Sequence, residues 1–218
     1  MTVTFDGTYG PGVPDPYGHY VTPYEITIDD GSGPVVQVVT CYDELNSVSP
    51  SESWQAYEYS LTDVVTGGMF VGATANVNSF SYNSTVGYQA IGWLSAQTYS
   101  NTSQEVALQY AIWNVFGTTQ ALTGSELTDY NNYESALASE VAVGFTGFDF
   151  SNTVYLESYD PASNPTSTTA PQPFVFAITP GGGGSFGVPE PGTIVMIGSG
   201  LLCLLGSLGF KRFASKRG

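Results

Sequence analysis

Side chains able to do covalent or proton-transfer chemistry are few in this chain of 218 residues. There are two cysteines, Cys41 and Cys203, and one histidine, His19. A cysteine is a nucleophile as its thiolate, and a histidine titrates near neutrality and can take a proton. A Cys–His hydrolase built from Cys41 and His19 would also need a third group to hold the imidazole. His19 falls in a stretch rich in glycine and proline (GPGVPDPYGH, residues 10–19), so this is the weakest of the chemical readings. Cys203 lies inside an uncharged apolar run, 193–210, which leaves Cys41 alone in the rest of the chain. Gln109, in Leu108-Gln109-Tyr110-Ala111-Ile112-Trp113, is a second residue out of place: its amide sits on the semi-apolar side of a helical pattern, next to a tryptophan. No phosphate loop, zinc-ligand cluster or nucleotide motif occurs. Asp29-Asp30-Gly31-Ser32-Gly33 lacks the ligand spacing of an EF-hand, so neither a metal nor a cofactor is expected.

The elements that must position these residues follow from periodicity. Cys41 ends the run VVQVVTCY (35–42), nearly unbroken in apolar residues, as a buried central strand would be. Residues 2–9, 24–29 and 54–61 also read as strands, with a turn at 29–34. Helical spacing begins at 88–99. Thr102-Ser103-Gln104-Glu105 fits a capping box, with Thr102 as N-cap, which predicts a helix carrying Gln109 to Phe116 and stopping at Gly117. A third helix is expected over 125–141, with Leu127, Tyr130, Leu137 and Val141 on its apolar face. Strands return at 147–159 and 173–179, separated by a Pro/Ser/Thr loop, 160–172. Strands, then helices, then strands imply an α+β fold: a β-sandwich or barrel interrupted by a small helical subdomain. Residues 1–179 form this outer domain, long enough for one core, and 180–187 form a glycine-rich linker.

The end of the chain is an address. All four basic residues, Lys211, Arg212, Lys216 and Arg217, lie in the last eight positions. Before them the apolar run 193–210 would rise about 27 Å as a helix, close to the roughly 30 Å hydrocarbon core of a bilayer. Basic residues stay on the cytoplasmic side, so one C-terminal transmembrane helix would leave the outer domain outside the cytoplasm. Pro189-Glu190-Pro191 precedes the run. These three parts in order resemble the PEP-CTERM sorting signal of Gram-negative bacteria. The resemblance implies processing by an exosortase near Pro-Glu-Pro, a place in the cell envelope, and a host that makes exopolysaccharide. Such proteins also need an N-terminal export signal. Residues 1–6 carry neither a basic nor an apolar leader region and read as a first strand.

In an oxidising compartment a lone cysteine is buried and inert, paired with another chain, or chemically committed. Cys41 and Gln109 together resemble the thioester domains of bacterial surface adhesins. There a strand cysteine joins the glutamine of a Gln-x-Ala-Ile/Val-Trp motif, matched here by Gln109, Ala111, Ile112 and Trp113. Cys41-Tyr42-Asp43 matches the cysteine segment, with Thr40 where an aromatic residue often stands, and Trp54-Gln55-Ala56 follows it as in related PEP-CTERM proteins. The resemblance implies that the Cys41 thiolate attacks the Gln109 amide, expels ammonia and leaves an internal thioester. An amine or sugar hydroxyl on a partner would then attack the carbonyl and become bonded to residue 109, a single-turnover acyl transfer rather than enzyme catalysis. The same bond could instead serve only as a staple, worth about 4 kcal/mol by loop entropy. The bland alternatives are a buried core cysteine and a glutamine hydrogen-bonded to backbone.

Composition narrows the partners. Residues 1–190 hold all 19 acidic side chains and no lysine or arginine, which excludes nucleic acid as a partner. It also leaves no side-chain amine in the outer domain to quench a thioester. The expected function is a membrane- or envelope-anchored surface protein, attached to a ligand through Cys41 and Gln109. The alternative is a passive envelope or exopolysaccharide-matrix protein that holds carbohydrate through aromatic faces and carboxylates.

Overall fold

A computed structural model describes residues 1–10, 12–15, 17–21, 23–44, 48–117, 121–158 and 172–177. All of them belong to one compact unit, Met1–Phe186. The linker at 180–187, Pro189, Glu190 and Pro191, the apolar run at 193–210 and the four basic residues lie outside the described residues. Among the described residues, no helix is long and apolar enough to cross a membrane.

The chain runs β1 (Thr2–Thr8), β2 (Tyr24–Asp29), β3 (Val35–Cys41), β4 (Ser53–Tyr59), α1 (Leu61–Gly67), β5 (Ala75–Val77), β6 (Phe80–Tyr82), α2 (Ser84–Ser95), α3 (Thr102–Asn114), α4 (Gly124–Ala142), β7 (Thr153–Ser158) and β8 (Phe174–Ala177). Six strands close into an antiparallel barrel in the order β1-β2-β3-β8-β7-β4, and β5-β6 form a separate hairpin. The fold is α+β, and of the two strand architectures expected it is the barrel. Closure leaves no free sheet edge among these strands, and the helices are inserted between β4 and β7.

Alternation along the strands divides the interior into two cores. Inside the barrel lie Val3, Phe5, Ile26, Val39, Cys41, Phe174 and Phe176. Between the barrel wall and the helices lie Tyr42, Tyr88, Ile91, Leu137, Tyr155 and Val175. Helix α3 is buried from Val106 to Trp113 without a break, as a helix enclosed on all sides must be. Its Val106, Tyr110 and Trp113 join the barrel core, while Leu108, Ala111 and Ile112 join the other.

Several local expectations are corrected. Helix α3 is capped by Asn101, not Thr102: the Asn101 carboxamide accepts from the Gln104 N–H, and Gln104 Oε1 accepts from the Ser100 N–H. Asparagine is the stronger cap, so the register starts one residue earlier. Strand β3 is not buried throughout, since Val35 and Val36 are exposed at its start. The run at 54–61 ends as a strand at Tyr59, because Ser60 caps α1 through the Asp63 N–H. Residues 147–152 are turn and 3-10 structure, and only Thr153–Ser158 is strand. Leu127 is exposed, whereas Leu137 is buried as expected and α4 buries Glu134 as well. Glu134 is held there by the Asn78 N–H at 2.6 Å and the Asn114 amide at 3.3 Å. Asp29 and Asp30 serve the β2–β3 turn, accepting from the Gly31 and Ser32 N–H groups.

Candidate functional site

Cys41 is the last residue of β3, paired in register with Phe174 of β8, and has no solvent exposure. Gln109 is buried at mid-α3. The two residues stand 68 positions apart, and Gln109 Nε2 donates to the Cys41 carbonyl oxygen at 2.7 Å. Gln109 is therefore a helix glutamine bonded to backbone, and that backbone belongs to the lone cysteine of the barrel.

The thiol is held by its own chain. Cys41 Sγ donates to the Asp43 carbonyl at 3.1 Å and accepts from the Asp43 N–H at 3.3 Å. Burial pushes the Cys41 pKa up strongly, opposed by the Asp43 N–H and by the side chains of Trp113 and Gln172, which favour the thiolate. Desolvation wins, so the resting state is a thiol. Trp113 follows Gln109 by one helical turn and is buried, with its indole N–H making no ordinary hydrogen bond. The group it bears on is the Cys41 sulfur, a weak acceptor. Such an orphaned donor costs about 1–3 kcal/mol unless something else accepts from it.

The other motif residues divide. Asp43 is buried and serves the sulfur through its backbone. Trp54 packs against the barrel core, its ring 6.1 Å from that of Phe174, the residue opposite Cys41. Ala111 and Ile112 face the second core, away from the barrel interior, and so anchor α3 rather than touch the pair.

A cleft of about 680 Å³ opens beside this cluster, lined among others by Phe5, His19, Tyr24, Glu44, Trp113 and Gln172. One wall is the β1 bulge between Phe5 and Gly7, where Gly7 takes a φ of +131° that an L side chain rarely adopts. His19 projects into the cleft, its ring at 6.2 Å and perpendicular to that of Trp113. Its Nδ1 lies 3.1 Å from Asp15 Oδ2. Asp15 is buried and also accepts from the Tyr17 and His19 N–H groups at 2.8 Å and from the Tyr110 hydroxyl at 2.5 Å. Burial works to raise the Asp15 pKa, but these hydrogen bonds outweigh it and hold the carboxyl below its usual value.

The sequence reading gave His19 no third group, and the fold supplies Asp15. The i, i+4 spacing was readable, but its partner Tyr110 comes from a helix 95 residues away. Gln172, placed in a loop by sequence, is buried, with Nε2 at 3.4 Å from the Asp43 carbonyl. No local signal marks it.

Residues 187–212 match the PEP-CTERM protein-sorting motif. The chain carries an exosortase-type sorting signal. The motif covers Pro189, Glu190 and Pro191, the apolar run, and Lys211 with Arg212. It implies a protein of the cell envelope or surface, and processing by an exosortase. No curated protein and no solved structure matches the chain.

Proposed function

We propose that the sorting signal delivers a non-enzymatic surface protein whose outer domain binds a partner covalently, through a thioester between Cys41 and Gln109. The observation that carries this reading is the 2.7 Å hydrogen bond from the Gln109 amide to the Cys41 carbonyl, between two buried residues. It holds the amide at the cysteine and offers the departing nitrogen an acceptor. Sγ would bond to Gln109 Cδ as the Cδ–Nε2 bond breaks, and the thiol proton would leave with the nitrogen as ammonia. A partner amine or hydroxyl would then bond to Cδ, the C–S bond would break, and the nucleophile's proton would pass to the sulfur. Motif residues Ala111 and Ile112 fix the helix, and Trp113 supplies a donor beside the sulfur.

In this account the run at 193–210 is a membrane helix with Lys211, Arg212, Lys216 and Arg217 at its cytoplasmic end, and residues 1–186 lie outside. The absence of lysine and arginine from residues 1–190 protects the thioester from the protein's own amines. A second reading, passive carbohydrate binding in the envelope or exopolysaccharide matrix, draws on the cleft, where tyrosine and tryptophan rings meet the carboxylate of Glu44.

The full chain, solubilised in detergent and treated with methylamine, tests the first reading. The account expects methylamine attached at residue 109 with release of the Cys41 thiol, and no addition in Cys41→Ala. Retention of an unmodified glutamine at 109 in the wild-type chain, with polysaccharide binding intact in Cys41→Ala, leaves the second reading in its place.

A further inference from the structure

His19 is the only imidazole of the chain, and thioester formation makes no use of it. Its Nδ1 faces a carboxylate that accepts from three other donors and is held below its usual pKa. A carboxylate can only accept, so in the neutral ring the proton sits on Nδ1 and Nε2 is the nitrogen with the lone pair. The imidazole lines the same cleft as Trp113 and Gln172, the two side chains that bear on the Cys41 sulfur. Cys41 and Gln109 are buried and do not themselves line the cleft, so a nucleophile held there beside His19 would reach the pair across Trp113 and Gln172. The Trp113 ring lies 6.2 Å from that of His19 and its N–H bears on the Cys41 sulfur, so Trp113 links the imidazole to the pair.

We propose that His19, oriented by Asp15, is the general base that takes the proton from the incoming nucleophile as it attacks the thioester. The proposal rests on the thioester reading above. As the new bond to Gln109 Cδ forms, the proton moves from the nucleophile to His19 Nε2. The C–S bond then breaks, and the proton passes from Nε2 to the Cys41 thiolate, so imidazole ends neutral and thiol ends protonated. The imidazolium formed in between lies beside two carboxylates, Asp15 at 3.1 Å and Glu44, whose own titration His19 influences. That is the electrostatic setting a transient imidazolium requires. Trp113 Nε1, which bears on the Cys41 sulfur, is the donor in position to meet the charge of the departing thiolate.

The test follows methylamine addition to the full chain by intact mass in wild type, His19→Gln and His19→Ala. The expected result is that both variants keep the ammonia deficit of the thioester, while the rate of addition falls by about 10²–10⁴-fold. Free imidazole should restore the rate in His19→Ala and not in His19→Gln, which a purely structural role for His19 would not produce. Wild-type rates in both variants, with the deficit present, overturn the base assignment and leave the thioester standing. A wild-type chain without the deficit overturns both.

Discussion

Gln109 Nε2 and the Cys41 carbonyl oxygen lie 2.7 Å apart, joining the buried middle of a helix to the end of a barrel strand. This contact ties α3 to β3 in the resting state, and a thioester would replace it with a covalent tie between the same residues. Gln109→Leu keeps the volume and removes the donor, at a cost of about 1–3 kcal/mol. Where the cross-link is present, the loss includes its contribution, about 4 kcal/mol. Cys41→Ala removes the same cross-link, so the two substitutions are expected to be strongly non-additive in urea unfolding, the second costing far less than the first. Simple additivity would mean that no bond joins them.

A lysine at the cleft mouth should consume the thioester from within. Ser49 is exposed and lines the cleft. In Ser49→Lys the account expects an isopeptide between residues 49 and 109, visible in a peptide map, and no further reaction with methylamine. Undiminished methylamine addition would remove any protective meaning from the missing lysines.

Glu157 gives the fold a pH dependence independent of the pair. It is buried, and it accepts from the Tyr42 hydroxyl at 2.7 Å, the Met69 N–H at 2.6 Å and the Tyr88 hydroxyl at 3.1 Å. Burial raises its pKa from 4.5 in spite of these donors. A carboxyl raised in this way binds its proton more tightly when folded. That stabilisation is complete below the unfolded pKa and is lost as pH rises through the folded one. Glu134, also raised by burial, acts in the same direction. Asp15, lowered, acts in the opposite one and loses its contribution as pH falls. Urea titrations of Glu157→Gln from pH 4 upward should show a smaller decline with pH than wild type. An unchanged slope would contradict the assignment.

Helix α2 packs through two glycines that admit no side chain. A Cβ on Gly87 would meet Phe116 at 2.4 Å, and one on Gly92 the Tyr155 hydroxyl at 2.5 Å. Alanine would gain about 1 kcal/mol of helix propensity at each, against an overpacking cost of about 1–3 kcal/mol. Thermal unfolding should find both Gly87→Ala and Gly92→Ala destabilised. A rise in Tm at either would show that the neighbouring ring, Phe116 or Tyr155, yields.

The parts of this fold with a strong local signal could be read in advance. Tyr24–Asp29 alternates and was legible as a strand, and α3 was legible from its apolar spacing, with its cap one residue late and its end at Asn114 rather than Phe116. Cys41 and Gln109 drew attention because each is the wrong type for its surroundings. Short elements were not legible: β5 and β6 have three residues each, and α1 continues an apolar pattern that also fits a strand until Ser60 caps it. Leu127 shows the limit of spacing, since α4 buries Glu134 through partners on β5–β6 and α3 that no helical periodicity encodes. Gln172 became part of the site only through its contact with Asp43, which its neighbours in sequence do not signal, whereas Asp15 had a readable i, i+4 partner in His19 and an unreadable one in Tyr110.

The intact mass of the full chain, purified without added amines, bears most directly on the central claim. The account predicts a mass below that of the encoded sequence by one ammonia, absent from both Cys41→Ala and Gln109→Leu. A wild-type mass equal to that of the encoded sequence, with the Cys41 thiol free on denaturation, would contradict it.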